Sequence, residues 1–509
     1  MSQTGRGGTP KRVAAALAAA AIALLGAVAA STPAMAVQGP GGVDPNASGS
    51  IIVHKHEHQT GSNPVVQNPD GSGTPIPTPG IEGVTFTAAP LLKDGAPVDL
   101  SDPAAWDTLE GLQPGADCTA PAGYTLGDTL APVTTDADGA ATIPAKVGVY
   151  VVCETAAPAH VVDRSAPFIV TIPHPYEGGW LTDVNVYPKN GVTGVTKTVN
   201  AQNGLGLGSV VEFDVTARIP ALAAGRSLTS FSVQDTLDPR LTPTGAGAGV
   251  SAGVKSVTVG GEAVPTQNYA VTVSGQTIDV SFTAAAGLPW LTTRTGQDVV
   301  VTFQGTVTSL GNGSIENTAV SFVNDPGKTH GVTTNKVTTN WGDLLIEKVN
   351  ARTPGDTLEG AKFEVYAAAE PYAADCSAAT PTGDAISVDG TREFTTGANG
   401  RVTVAGLFVS DSSNAPENAP QRCYVLKETA APAGFVTPTG DAALTAVAVL
   451  TGASSKVDVT VKNVQQRVPE LPLTGSSGAM ILSVAGGALL IAAAGTAILV
   501  SRRRAAHTE

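Results

Sequence analysis

Between residues 37 and 468, apolar positions recur mainly at every second residue. VTVSGQTIDVSF (271–282) and QDVVVTFQGTVTSL (297–310) are examples. Successive side chains of an extended chain point to opposite faces, so this period marks half-buried strands. Clusters of Gly, Pro, Asn and Asp separate the runs and mark turns. No amphipathic helix of ordinary length stands out. Many short strands between turn signals predict an all-β chain of tandem sandwiches.

The ends break this pattern. Arg6, Lys11 and Arg12 precede an apolar run from Val13 to Ala30, and Ala34-Met35-Ala36 has the small-x-small form of a signal peptidase site. Residues 1–36 therefore read as a secretory signal peptide. Residues 479–500 carry no charge, enough to span a bilayer, and Arg502, Arg503 and Arg504 follow on what should be the cytoplasmic side. The body between would lie outside the cell.

That body contains an internal repeat. IIVHKHE (51–57) parallels LLIEKVN (344–350), and IEGVTF (81–86) parallels LEGAKF (358–363). Ala-Asp-Cys recurs at 116–118 and 374–376, TTDADGAATI (134–143) parallels TTGANGRVTV (395–404), and YVVCETAAPA (150–159) parallels YVLKETAAPA (424–433). Five matches in one order predict related first and last domains, 37–190 and 342–468. The middle, 191–341, shares none of them and reads as a different sandwich. Residues 59–80, rich in Pro, Gly, Asn and Ser, read as a long loop within the first domain.

Charge and cysteines narrow the class. The chain carries −14. Without the three cations of the signal peptide, and the three arginines and one glutamate after Thr474, the body stands at −19. That argues against nucleic acid as a partner and favours solubility. Four cysteines in an exported chain suggest disulfides, and local pairing gives Cys118–Cys153 and Cys376–Cys423. His54, His56 and His58 alternate along one strand, but no carboxylate or cysteine cluster completes a metal site. No metal and no cofactor are expected.

The C-terminal span is preceded by Leu471, Pro472, Leu473, Thr474 and Gly475. Pro472 keeps this pentapeptide extended for a transpeptidase cleft, and the span holds the chain at the membrane with the motif outside. A sortase cysteine would attack the Thr474 carbonyl and release Gly475. Residues 469–509 thus form one sorting signal. The acyl-enzyme then needs an amine. The stretch WLTDVNVYPK (180–189) resembles the pilin motif of sortase-assembled shaft pilins of Gram-positive bacteria, matching at Trp180, Val184, Val186, Tyr187, Pro188 and Lys189. The resemblance implies that Lys189 of the next copy accepts Thr474. It implies three Ig-like domains, the first and last of the collagen-adhesin B type. Implied partners are further copies, a class C pilus sortase, the housekeeping sortase and peptidoglycan, a tip pilin and surface receptors. The location implied is a wall-anchored extracellular fimbria serving adhesion. The Ala- and Gly-rich composition suggests an actinobacterial source.

The same resemblance implies autocatalytic Lys–Asn isopeptide bonds. Such a bond needs a buried lysine whose pKa falls from about 10.4, an asparagine to be attacked, and a carboxylic acid kept protonated by burial. In the last domain the trio is Lys348, Glu428 and Asn463, with Glu428 in a segment resembling the family's E-box, where Phe435 replaces the commoner Tyr. In the middle domain it is Lys197, Asp235 and Asn317. The first domain repeats Lys55 and Glu154, but matching DVNVYP (183–188) to DVTVKN (458–463) puts Pro188 in the place of Asn463. Reaching Asn185 or Asn190 instead would need a register shift that flips the facing side chains. No bond is therefore expected there, only a Lys55–Glu154 ion pair. The competing readings are a monomeric wall adhesin with the same domains, and a secreted enzyme. The second finds no paired catalytic constellation; the acids Asp235 and Glu428 are explained as proton shuttles for self-cross-linking.

Overall fold

Alternation becomes strands where it was read. Val210–Arg218 and Ala140–Lys146 bury every second residue. The structure is a computed structural model that describes residues 42–60, 63–245 and 252–467, together with Thr496. The signal peptide read at 1–36, the 471–475 motif with Thr474, and the 479–500 span apart from Thr496 lie outside the described residues. The described chain forms two compact units. One holds the residues up to Ala157 and Arg164–Lys189, and the other holds Pro158–Asp163 and the chain from Asn190 onward.

In the first unit, Ser48–His54 is the centre of a three-stranded sheet. It pairs in parallel with Asp183–Val186 and antiparallel with Ala140–Lys146. The second sheet runs in the order Phe168–Ile172, Gly148–Ala156, Thr85–Lys93, Ala96–Pro97. Ile51, Val53, Phe86, Val151 and Val152 are fully buried. Cys118 and Cys153 are joined, as the local pairing predicts.

The second unit holds two sandwiches. One has a sheet containing Val195–Val199, Val210–Arg218, Asp298–Val307 and Val254–Val259. Its other sheet contains Tyr269–Ser274, Thr277–Phe282, Phe231–Thr236 and Ala319–Val323. The next sandwich has Lys362–Ala368, Gln421–Ala430 and Leu444–Leu450 in one sheet. Its other sheet is built on Val337–Asn350, which pairs antiparallel with Arg401–Asp411 and in parallel with Val459–Asn463. The start of this 14-residue strand also pairs with Ser314–Asn317. The boundary read at 341 therefore falls inside a strand, with no linker. Trp341, fully buried there, meets Phe408 edge-on at 5.3 Å. The change of pattern at Asn340 marks a change of pairing partner along one continuous strand. The Cys376–Cys423 disulfide also forms.

The sequence repeat recurs as a repeated hydrogen-bond scheme. In the first domain the Lys55 amide donates to Gly139 and the Ile81 amide to Lys55, while Thr135 Oγ1 donates to Ile81 and accepts from the Val84 amide. In the last domain Lys348, Gly400, Leu358, Thr396 and Ala361 repeat the scheme one for one. Gly139 and Gly400 adopt φ of +77° and +69°, the left-handed region that an Asp-Gly or Asn-Gly turn supplies. Cys118 and Cys376, which end the repeated Ala-Asp-Cys, both have positive φ as well.

Candidate functional site

The motif that ends the first unit is held strand by strand. Trp180 sits in the hairpin of His174–Tyr176 with Gly179–Leu181 and packs against Trp106, ring centroids 5.4 Å apart. Val184 is buried beside Ile51 of the neighbouring parallel strand. The pairing continues past the regular strand, because the His56 amide donates to the Pro188 carbonyl at 3.2 Å. Lys189 follows, half-buried. Burial holds its amine below the ordinary lysine value, since desolvation disfavours the charged form. Among the described residues no carboxylate forms an ion pair with it. Its neutral fraction at a given pH is therefore larger than that of an exposed lysine, and among the described residues it has no ion-pair partner to give up before it reacts.

Two buried constellations lie in the second unit. Lys197 forms an ion pair with Asp235, both side chains having no exposed surface. The Asn317 amide donates to Asp235 Oδ2 at 3.3 Å, and the Lys197 amine lies 4.8 Å from the centre of the Phe213 ring. Lys348 donates to Glu428 at 2.7 Å, and its amine lies 5.6 Å from the centre of the Phe363 ring. The Asn463 amide donates to the Val436 carbonyl at 2.8 Å. Desolvation dominates all four titrating groups. It pushes Lys197 and Lys348 down and Asp235 and Glu428 up, against the opposing pull of each pair.

The unsatisfied atoms are the same in both places. Asp235 Oδ1 and Asn317 Oδ1 are buried without a hydrogen-bond partner, and so are Glu428 Oε1 and Asn463 Oδ1. An ionised carboxylate and a carboxamide oxygen are both acceptors and cannot satisfy each other. A neutral acid can, because it donates one hydrogen bond. The raised pKa of each acid points the same way. Such a donor would polarise the carboxamide toward attack by a neutral amine.

The first domain contains the lysine–acid half of this arrangement. Lys55 donates to Glu154 at 2.9 Å, with neither side chain exposed, and Phe86 stands where Phe363 does. Ser165 adds a hydroxyl donor to Glu154 at 2.8 Å, which no sequence signal announced. The expected ion pair is therefore present. The strand match used against a cross-link is not. Val53 pairs with Val186 and Ile346 with Val459, while Lys348 pairs with Val461. Counted along these registers, Pro188 answers to Val461 and Asn190 to Asn463. The sequence match was displaced by two residues, which keeps every side chain on its face. Asn190 is fully buried, and Pro188 is no argument that the first domain lacks a bond.

Two of the three histidines, His54 and His56, are in use locally. His54 bonds Asn185, and His56 Nδ1 donates to the Thr78 carbonyl at 2.9 Å. Among the described residues no group of three His, Cys, Asp or Glu is arranged to hold a metal.

Tandem sandwiches with buried lysine–acid pairs and a wall-sorting sequence define a covalently anchored structural protein of the cell surface. Comparison with known proteins makes this specific. Residues 46–191 match the Gram-positive pilin subunit D1, N-terminal domain, and residues 463–506 match the LPXTG cell wall anchor motif. The chain is 36% identical over 492 residues to fimbrial subunit type 2 of Actinomyces naeslundii, covering 88% of each. It is 28% identical over 514 residues to fimbrial subunit type 1 of Actinomyces viscosus, covering 92% of this chain and 94% of that one. Among solved structures, the full-length major pilin SpaD from Corynebacterium diphtheriae superposes with a TM-score of 0.65 at 28% identity, covering 84% of this chain and 99% of that one. The chain belongs to this family of fimbrial subunits: it is a shaft pilin of a cell-wall-anchored extracellular fimbria, polymerised with other subunits through sortase. It is a structural protein, not an enzyme.

Proposed function

We propose that the bond between subunits joins the Thr474 carbonyl of one copy to the Lys189 amine of the next. The sortase thiolate attacks Thr474, and Gly475 leaves as an amine. The neutral Lys189 amine then attacks the thioester, an amide forms, and the thiolate is released. The observation that carries this reading is the half-buried Lys189 at the end of the motif strand, its amine held below the ordinary lysine value by desolvation. Wall extracts of a Lys189→Ala strain on a denaturing gel test it. Collapse of the high-mass ladder to a monomer is expected, and an unchanged ladder refutes it. A housekeeping sortase would then transfer the completed shaft to peptidoglycan.

A second chemistry is supported by the paired orphan oxygens. In each trio the neutral lysine attacks the asparagine Cγ, the C–N bond to the carboxamide nitrogen breaks, and ammonia leaves. The buried acid, Asp235 or Glu428, carries the proton from the attacking nitrogen to the leaving one. The bonds formed are Lys197–Asn317 and Lys348–Asn463. Well-oriented groups react as if at about 10⁵ M or more, so one slow turnover suffices. Intact mass is the test. Asn317→Ala and Asn463→Ala should each restore one ammonia, after allowance for the substitution itself, and both together two. Any ammonia still missing from the double variant reports a reaction at Lys55.

A further inference from the structure

We infer that His54 and Asn185 are positioning residues for the acceptor Lys189. The inference rests on Lys189 being the acceptor. Neither residue belongs to the set matched in the motif, and of the loop 59–80 only the Thr78 carbonyl, which accepts from His56, has entered the fold described so far.

The imidazole of His54 stacks on Tyr187, ring centroids 4.8 Å apart and planes 13° from parallel. Its Nε2 lies 2.8 Å from Asn185 Oδ1. Asn185 commits its Nδ2 to the Pro69 carbonyl at 3.1 Å, so its Oδ1 is the acceptor and His54 Nε2 the donor. The backbone amide of Asn185 also donates to the Pro69 carbonyl, at 2.8 Å. One carbonyl of the long loop therefore holds one residue of the motif strand twice. The loop is closed on itself close by. The Asn68 amide donates to Ser72 and Gly71 returns to Asn68. A Cβ at Gly71, where φ is +83°, would stand 3.2 Å from Asn185 Nδ2.

Alternate residues of an extended chain share a face, and the strand continues past Tyr187 through the His56–Pro188 hydrogen bond. Asn185, Tyr187 and Lys189 thus form one row. Asn185 fixes His54, His54 fixes the Tyr187 ring, and the ring fixes the side of the strand from which Lys189 reaches the acyl-enzyme. Amine attack on a thioester is sensitive to such placement, and a displacement of about 1 Å can cost about a hundredfold in rate. His54, from the alternating histidines, and the Pro-rich loop read from the sequence become parts of one clamp.

The test uses the purified mature pilin, a peptide ending in LPLTG as acyl donor, and the pilus sortase. Amide formation is measured against pilin concentration for His54→Ala, Asn185→Ala, His54→Phe and Lys189→Ala, with a thermal melt of each. Expected are a fall in kcat of about tenfold to a hundredfold for His54→Ala and Asn185→Ala, with little change in KM or in Tm. His54→Phe keeps the ring stack and should recover most of the rate. If His54→Ala does not fold, Asn185→Ala and His54→Phe still decide. Wild-type kcat in Asn185→Ala and no benefit of Phe over Ala at position 54, with Lys189→Ala inert, overturns the inference and leaves the acceptor reading standing. Wild-type amide formation by Lys189→Ala overturns both.

Discussion

Gly400 presents its carbonyl to the amide of Lys348 at 2.8 Å, and Gly139 does the same for Lys55 at 2.7 Å. The turn that leads into Ala140–Lys146 in the first domain and Arg401–Asp411 in the last is thus the seat of the buried lysine. At Gly400 a Cβ would stand 2.5 Å from the Thr357 Cβ and 2.9 Å from the Lys348 carbonyl oxygen, with φ at +69°. A non-glycine residue in that region costs about 1–3 kcal/mol, and the lysine strand must shift besides. Gly400→Ala in an Asn463→Ala background should therefore destabilise the last domain by at least that amount, read by denaturant unfolding. In the wild-type background the same change should slow the loss of ammonia, read by mass over time after refolding. Unchanged stability and rate would show that the turn does not locate Lys348.

The acid in each trio is assigned a proton-shuttling role that a mere charge partner would not have. Glu428→Gln keeps the shape and a hydrogen-bond donor but cannot exchange a proton. The chain should then retain the ammonia at Asn463, while the Lys197–Asn317 bond forms as before. Asp238→Asn, which breaks the partly exposed pair with Arg240, should leave both bonds intact. Removing the partner of a buried lysine costs about 3–5 kcal/mol, so Glu428→Ala conflates folding with chemistry and Gln is the informative choice. A cross-link in Glu428→Gln at the wild-type rate would assign the proton transfer elsewhere.

Burial of Lys189 gives a pH dependence with a definite sign. Its pKa is lowered from 10.5 by desolvation, so its neutral, nucleophilic fraction appears at lower pH than that of an exposed lysine. Labelling with an amine acylating reagent, followed residue by residue by mass spectrometry, should show Lys189 reactivity rising and levelling off at lower pH in the folded protein than in the denatured chain. Coincident profiles would remove desolvation as the source of reactivity.

The alternation, the disulfides and the repeat were all legible because each is written in short sequence spans. Lys55 and Lys348, Glu154 and Glu428, and Phe86 and Phe363 all fall where the repeat puts them. The final-strand match failed for a physical reason. DVNVYP and DVTVKN agree in their alternation, and a slip of two residues preserves alternation, so only the pairing of Val53 with Val186 and Ile346 with Val459 could correct it. Asn185 was read in the sequence only as an alternative acceptor for Lys55, because the contact that ties it down is to Pro69, a residue 116 positions away. The continuity of Val337–Asn350 was hidden likewise: a strand that changes partners midway looks in sequence like a boundary.

If Lys189 receives Thr474, tension enters each subunit at Lys189 and leaves at Thr474. Residues before Lys189 then hang beside the load path. Within the path, the Lys197–Asn317 and Lys348–Asn463 bonds let force bypass everything between their ends. The Cys376–Cys423 disulfide lies wholly inside the second bypassed stretch and should carry no load. A shaft pulled by force spectroscopy should show no stepwise domain extension, and reducing the disulfides should change nothing. In Asn463→Ala the last domain should extend. Reduction should then lengthen each step by about 160 Å, from the 47-residue separation of the two cysteines at about 3.4 Å per residue. Forced unfolding is governed by the unfolding rate, so this readout is independent of equilibrium stability. A reduction-dependent step in the wild-type shaft would mean that force crosses the last domain by another route, and with it the Lys348–Asn463 bond would be lost as the tensile link.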